Sequence, residues 1–107
     1  MLDTKLNGIP VSLTATHATL AVCTIAAVPS IQNVLSSLSV SSDKAGSIVL
    51  VKDGTTVIWQ AQVGAGYFNM SFPEGLFGTQ GNLLSVEIDG TSACKANMNV
   101  VKRQFRV

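Results

Sequence analysis

The chain has 107 residues, 47% of them hydrophobic and only 12% charged, with a net charge of +1. That length fits one domain and leaves no room for two. Seven Lys and Arg against six Asp and Glu exclude the clustered basic face of a nucleic-acid binder, and no run nears the roughly 18 apolar residues of a membrane-spanning helix.

The first ten residues read as an N-terminal arm carrying Leu2, Leu6 and Ile9. From there the dominant period is two, and it predicts strands near 11–16, 18–27, 31–41, 47–52, 55–63, 67–72, 83–89 and 93–103. The apolar run from Thr19 to Val28 has the look of a signal segment. Asp3 and His17 precede it, however, and Val22 is too large to stand before a lipoprotein cysteine at Cys23. Val34, Leu38 and Val40 sit among serines. Ile48 to Val51 is apolar throughout, as in a strand that is central or covered on both faces. Asp53-Gly54 predicts a two-residue type I′ hairpin. After it, Val57, Trp59, Ala61 and Val63 alternate with Ile58, Gln60 and Gln62, which puts Trp59 in the core. Gly64 to Gly66 turns a corner. Phe68, Met70 and Phe72 then alternate with Tyr67, Asn69 and Ser71. Pro73 cannot donate to a ladder, so it is expected to close that strand. It opens a long loop to Asn82, which suits a sheet-to-sheet crossover. Leu84, Val86 and Ile88 form the next apolar face, and Asp89-Gly90 reads as a second hairpin. Cys94, Ala96, Met98 and Val100 close the series against Lys95, Asn97 and Asn99. The end is locally basic, with Lys102, Arg103 and Arg106.

No stretch carries a helical stripe with caps. The pattern therefore predicts an all-β fold: an antiparallel β-sandwich, jelly-roll-like, of about eight strands. The sandwich spans 11–103, between an arm at 1–10 and a tail at 104–107.

Catalysis needs a constellation, and the inventory is short. His17 stands alone with no acid near it in sequence. Asp43, Asp53 and Asp89 fall in turns, so no carboxylate pair is left for hydrolysis. There is no Cys-x-x-Cys, no His pair and no glycine loop entering a helix. The expectation is a protein that is not an enzyme, with no catalytic residue, metal or cofactor. Cys23 and Cys94 read as two buried thiols, with a bridge between them as the alternative. Trp59 lies much further beyond Cys23 than the immunoglobulin pattern places its Trp.

The surface that remains is Ser, Thr, Asn and Gln, and the Lys95, Asn97, Asn99, Val101 side of the last strand is amide-rich. Charge depletion of this kind marks the buried part of an interface. Tyr67, on the polar side of its strand, and Phe77, at the loop tip, are candidates either for a small aromatic platform for sugar or for a subunit contact.

Three stretches carry a resemblance: Asp53-Gly-Thr-Thr-Val-Ile-Trp-Gln60, Gly66-Tyr-Phe-Asn-Met-Ser-Phe-Pro73 and Gly78-Thr-Gln-Gly-Asn-Leu-Leu-Ser-Val86. Together they resemble small β-sandwich virion proteins of tailed bacteriophages, many of which are capsid decoration, or cement, proteins. The resemblance covers roughly residues 15–101 and rests on order and style. It implies a homotrimer seated on the outer capsid surface, assembled in the host cytoplasm and clamping subunits of the major capsid protein, with no nucleic-acid or membrane partner. Contact would then fall on Leu2, Leu6 and Ile9 of the arm and on Arg103, Phe105 and Arg106 of the tail, besides Tyr67 and Phe77. The alternative function is a carbohydrate- or receptor-binding module of a phage tail or fibre.

Overall fold

The structure, a computed structural model, describes the backbone of residues 9–17 and 19–104, and the side chains of Thr16 and residues 19–102. Eight strands follow one another: β1 (Ile9–His17), β2 (Leu20–Ile25), β3 (Ile31–Ser42), β4 (Ser47–Asp53), β5 (Thr56–Val63), β6 (Gly66–Phe77), β7 (Leu84–Asp89) and β8 (Cys94–Gln104). They form two four-stranded antiparallel sheets, β1-β8-β3-β6 (sheet A) and β2-β7-β4-β5 (sheet B).

This is the strand order of a jelly roll. The chain pairs as one long hairpin, β1 with β8, β2 with β7, β3 with β6 and β4 with β5. Rolling that hairpin up adds the pairs β3 with β8 and β4 with β7. Of the seven connections, only β4 to β5 stays within a sheet; every other one crosses between sheets. The predicted architecture and strand sequence are therefore observed.

The core lies between the sheets. Ala21, Cys23, Ile25, Val49, Val51, Leu84, Val86 and Ile88 of sheet B meet Leu35, Leu38, Val40, Ala96, Met98 and Val100 of sheet A, all at 5% exposure or less. The sandwich is open on the side where β5 and β6 are the edge strands. Trp59 closes it, its ring 6.4 Å from Phe68 in a stacked arrangement and 5.5 Å from Phe72 edge-on. Cys23 and Cys94 are both buried and unbridged.

Four local expectations change. Asp53 pairs with Thr56, so Gly54 and Thr55 make the β4–β5 loop. Of these only Gly54 has a positive φ, 65°, which is the type II′ pattern and not the type I′ pattern. In β5 the register slips by one, with Trp59 opposite Val51 but Val57 opposite Lys52. The extra residue inverts the alternation, so Val57 turns outward at 43% exposure while Ile58 and Trp59 both pack on the core. Pro73 does not end β6. Ser71 pairs with Ser37 and Leu76 with Leu35, and the residues between bulge out opposite Ser36, where a missing N–H costs no ladder bond. Asp89-Gly90 is no hairpin, because β7 and β8 belong to different sheets. Gly90 is needed for close approach: a Cβ there would meet Asp43 Oδ1 and Cys94 Cβ at 3.0 Å.

At the chain ends the sheet reaches further than the pattern suggested. Ile9 pairs with Lys102 and Gln104 with Ile31, so both join the strands, and Arg103 pairs with Gln32 inside the predicted strand. Leu2, Leu6, Phe105 and Arg106 lie outside the described residues.

Candidate functional site

The two outward sheet faces have opposite chemistry, and the register sets out both. On sheet A, three cross-strand rows run from β1 to β6. They are Thr16, Lys95, Ser41 and Tyr67; then Thr14, Asn97, Ser39 and Asn69; then Ser12, Asn99, Ser37 and Ser71. Every position holds a hydroxyl or an amide except Lys95, and none holds a carboxylate or an aliphatic side chain. Such a lattice repeats at about 4.8 Å across the strands and about 6.7 Å along them.

Bonds within this face fix its side chains. Ser39 Oγ donates to Asn69 Oδ1 at 2.6 Å, and Asn99 Nδ2 donates to Ser37 Oγ at 2.8 Å. Ser36 Oγ donates to the Asn99 carbonyl at 2.9 Å. Tyr67 ends the first row at 82% exposure. At the same end an open depression of about 520 Å³ is lined by Thr16, Ser41, Ser42, Asp43, Ser92, Ala93, Cys94 and Lys95.

Sheet B presents aliphatic side chains around paired charges. Leu20 and Val22 of β2 stand opposite Asp89 and Glu87 of β7, and Leu50 of β4 stands opposite Glu87 from the other side. Leu20, Val22 and Ile48 are 45%, 39% and 47% exposed. The two acids are neutralised in place: Lys44 Nζ lies 2.7 Å from Asp89 Oδ2 and Lys52 Nζ lies 3.0 Å from Glu87 Oε2. The Lys44 ammonium, with the Ile48 amide, holds the Asp89 carboxyl below the usual range.

Two further carboxylates tie crossover loops. Asp43, after β3, accepts from Thr91 N, Thr91 Oγ1, Ser92 N and Ser92 Oγ in the β7–β8 crossover. The Ser92 hydroxyl is foremost in holding the Asp43 pKa far below its ordinary value. Asp53, at the other end of the sandwich, accepts from Thr79 N at 3.0 Å and Thr79 Oγ1 at 2.6 Å in the β6–β7 crossover. Burial pulls the Asp53 pKa up, and the Thr79 and Asn82 bonds outweigh it, so the net shift is downward. These acids tie the ends of β3 and β4 to the neighbouring crossovers. Among the described residues, no three of His, Cys, Asp and Glu come together in a metal-binding group.

The sequence-predicted contact residues scatter. Tyr67 and Phe77 stand at opposite ends of the twelve-residue β6 and pair with Ser41 and Val34 of β3, roughly 23 Å apart at a strand rise of about 3.3 Å per residue. They cannot form one aromatic platform. Phe77 is 40% exposed and pairs with Val34. Ile9 and Arg103 meet different partners near one end of sheet A. The sequence did signal the β8 part of the polar face. It did not signal the rows, which need the register of four strands.

No family model matches this chain, and no curated protein matches it in sequence. Among solved structures it is similar to a GH26-CBM35 β-(1,4)-mannanase of Podospora anserina, at 12% identity and a TM-score of 0.46, over 92% of this chain and 28% of that one. It is also similar to PliG, a periplasmic inhibitor of g-type lysozyme from Aeromonas hydrophila, at 9% identity and a TM-score of 0.40, over 94% of this chain and 92% of that one. At such identities and scores neither protein's activity transfers to this chain.

Proposed function

We propose that this chain is a non-catalytic virion structural protein, a decoration or cement protein that seats on the outer capsid surface of a tailed phage and stabilises contacts between major capsid subunits. The outer face of sheet B carries the reading. Leu20, Val22, Ile48 and Leu50 surround two acids whose lysine partners are already in place. Covering such a face removes apolar area from water and strands no lone charge. The stretches that carry the phage resemblance fall on the β4–β5 hairpin and β5, on β6, and on the crossover into β7. They belong to the scaffold, so the resemblance speaks for the framework, and the exposed aliphatic face speaks for docking. Weak individual contacts suffice for this role, because a shell offers many sites and multivalent attachment raises effective affinity.

The test is co-sedimentation of purified protein with assembled shells from the same source. The expected result is a fixed ratio to the major capsid protein, lowered at least roughly tenfold in affinity by Val22→Lys with Ile48→Lys, since a buried unpaired ammonium costs more than about 1.4 kcal/mol. Protein that stays in the supernatant at every shell concentration sinks the proposal. Arm and tail contributions are read from deletions of 1–8 and 105–107. Cutting at 103 would remove residues that pair with β3.

A further inference from the structure

The geometry points to a second binding surface on the opposite side of the molecule: the outer face of sheet A is a site for a neutral, hydroxyl-rich glycan chain, laid across β8, β3 and β6 and anchored at Tyr67. This site is independent of shell docking, which would use sheet B and leave sheet A facing outward.

Three observations converge on one end of one face. The rows offer hydroxyls and amides, each able to donate and accept. That matches a sugar, whose hydroxyls do both. It matches a protein partner poorly, because the three rows hold no aliphatic side chain to form the dry core of a protein interface, Val101 and Phe77 lying in the row beyond them. It also matches an anionic polymer poorly, because Lys95 is the one cation in the rows and anionic chains are held by clustered Lys and Arg. Second, the amides are fixed before any ligand arrives. Asn69 uses Oδ1 to accept from Ser39, and Asn99 donates to Ser37, which leaves the Asn69 Nδ2 hydrogens and the Ser37 hydroxyl hydrogen to donate. A fixed face loses less side-chain entropy on binding. Third, Tyr67 is the most exposed of the large hydrophobic side chains among the described residues, at 82%, and it stands beside Ser41, which lines the 520 Å³ depression with Thr16 and Lys95. A ring so placed offers a flat apolar surface to a pyranose, with its hydroxyl as a polar end. A chain laid across the strands meets a new row member about every 4.8 Å.

The experiment uses the protein alone, so its outcome stands apart from that of shell binding. Affinity electrophoresis and calorimetry are run against dextran, a galactomannan and a soluble β-glucan, with alginate as the anionic comparator. The expected result is retardation by at least one neutral polymer that persists at high salt. Tyr67→Ala should weaken it roughly tenfold or more, the size expected for losing a ring contact and its hydrogen bond. Asn69→Ala should weaken it in the same direction, while Val22→Lys on sheet B leaves it unchanged. Circular dichroism checks that each variant folds, and Asn69→Ala carries the test should Tyr67→Ala fail to. Absence of binding to every neutral polymer at roughly 10 mM sugar units, a range that still detects millimolar affinity, overturns the inference. So does binding that neither variant weakens, or binding to alginate alone that vanishes with salt.

Discussion

The one-residue slip in β5 decides which way a whole edge of the sandwich faces, and a matched pair of substitutions tests it. Val51 is fully buried and stands opposite Trp59; Val57 is 43% exposed and stands opposite Lys52. Changing Val to Thr keeps the shape and the β-branch, so strand preference stays nearly constant and the added hydroxyl becomes the perturbation. At Val51 that hydroxyl enters a core lined by Val49, Val86 and Ile88. Burying it without a partner costs about 1–3 kcal/mol. At Val57 it meets solvent, and surface changes stay within about 0.5 kcal/mol. For a domain of this size each kcal/mol moves the melting temperature by roughly 4–8 °C, so Val51→Thr should melt about 4–24 °C lower and Val57→Thr within a few degrees of the parent. Urea unfolding followed by tryptophan fluorescence reads both, since Trp59 is the sole tryptophan and sits in the strand at issue. Strict alternation along β5 would put Val57 inside with Trp59. A cost at Val57 above about 1 kcal/mol, or equal to that at Val51, would therefore refute the slip.

Asp43, Asp53 and Asp89 all have folded-state pKa values below their ordinary ones. Their stabilisation is thus complete above the unfolded value near about pH 3.9 and fades as pH falls through the folded values. The urea midpoint should drop on going from pH 5 to pH 2.5, and Asp43→Asn should flatten that drop; an unchanged slope would remove Asp43 as a contributor. Burial raises the Cys23 thiol pKa, partly offset by a backbone hydrogen bond with Met98. Both thiols are buried, so a thiol reagent should find two reactive groups in denatured, unreduced protein and almost none in the native state; no thiols after denaturation would instead indicate a bridge. Ser30 holds φ at 70° in the turn before β3, so Ser30→Gly should stabilise by about 0.5–1 kcal/mol, and a loss on thermal melting would contradict that strain.

The fold was legible because a sandwich imposes period two on nearly every residue. Leu84, Val86 and Ile88, and Cys94, Ala96, Met98 and Val100, recur at every second residue because that side of each strand meets the core, although Ser85 on the other side of β7 is buried too. The corner at Gly64 to Gly66 and a sheet-to-sheet crossover before Leu84 were readable from glycines and a polar run, although that crossover begins after Phe77 and not at Pro73. The departures share one physical origin, which is that turn chemistry does not say which sheet the next strand joins. Asp89-Gly90 carries the dipeptide of a hairpin, yet it serves a crossover where glycine is demanded by the approach of Asp43 and Cys94. Pro73 and Val57 misled for a related reason. A bulge hosts a proline or flips a face without leaving any mark in a two-residue period.

The candidate surfaces were legible only as composition, because a face is a property of register. Asn97 and Asn99 stand out along β8, but Ser39 and Asn69 become their neighbours only once β3 is placed between β8 and β6. Most of the few charges of the described residues are also tied or paired in place. Asp43 and Asp53 tie the two crossovers, and Asp89 and Glu87 pair with Lys44 and Lys52 on sheet B. Among the described residues this leaves Glu74, Lys95 and Lys102 outside such ties. A surface charge that is already hydrogen-bonded or paired costs less to cover than a free one, because part of its field is neutralised before the partner arrives. Sheet B can therefore be covered without stranding a charge, although two acids lie in its middle. Sheet A has almost no charge to cover, and what it offers a ligand is hydrogen-bonding geometry.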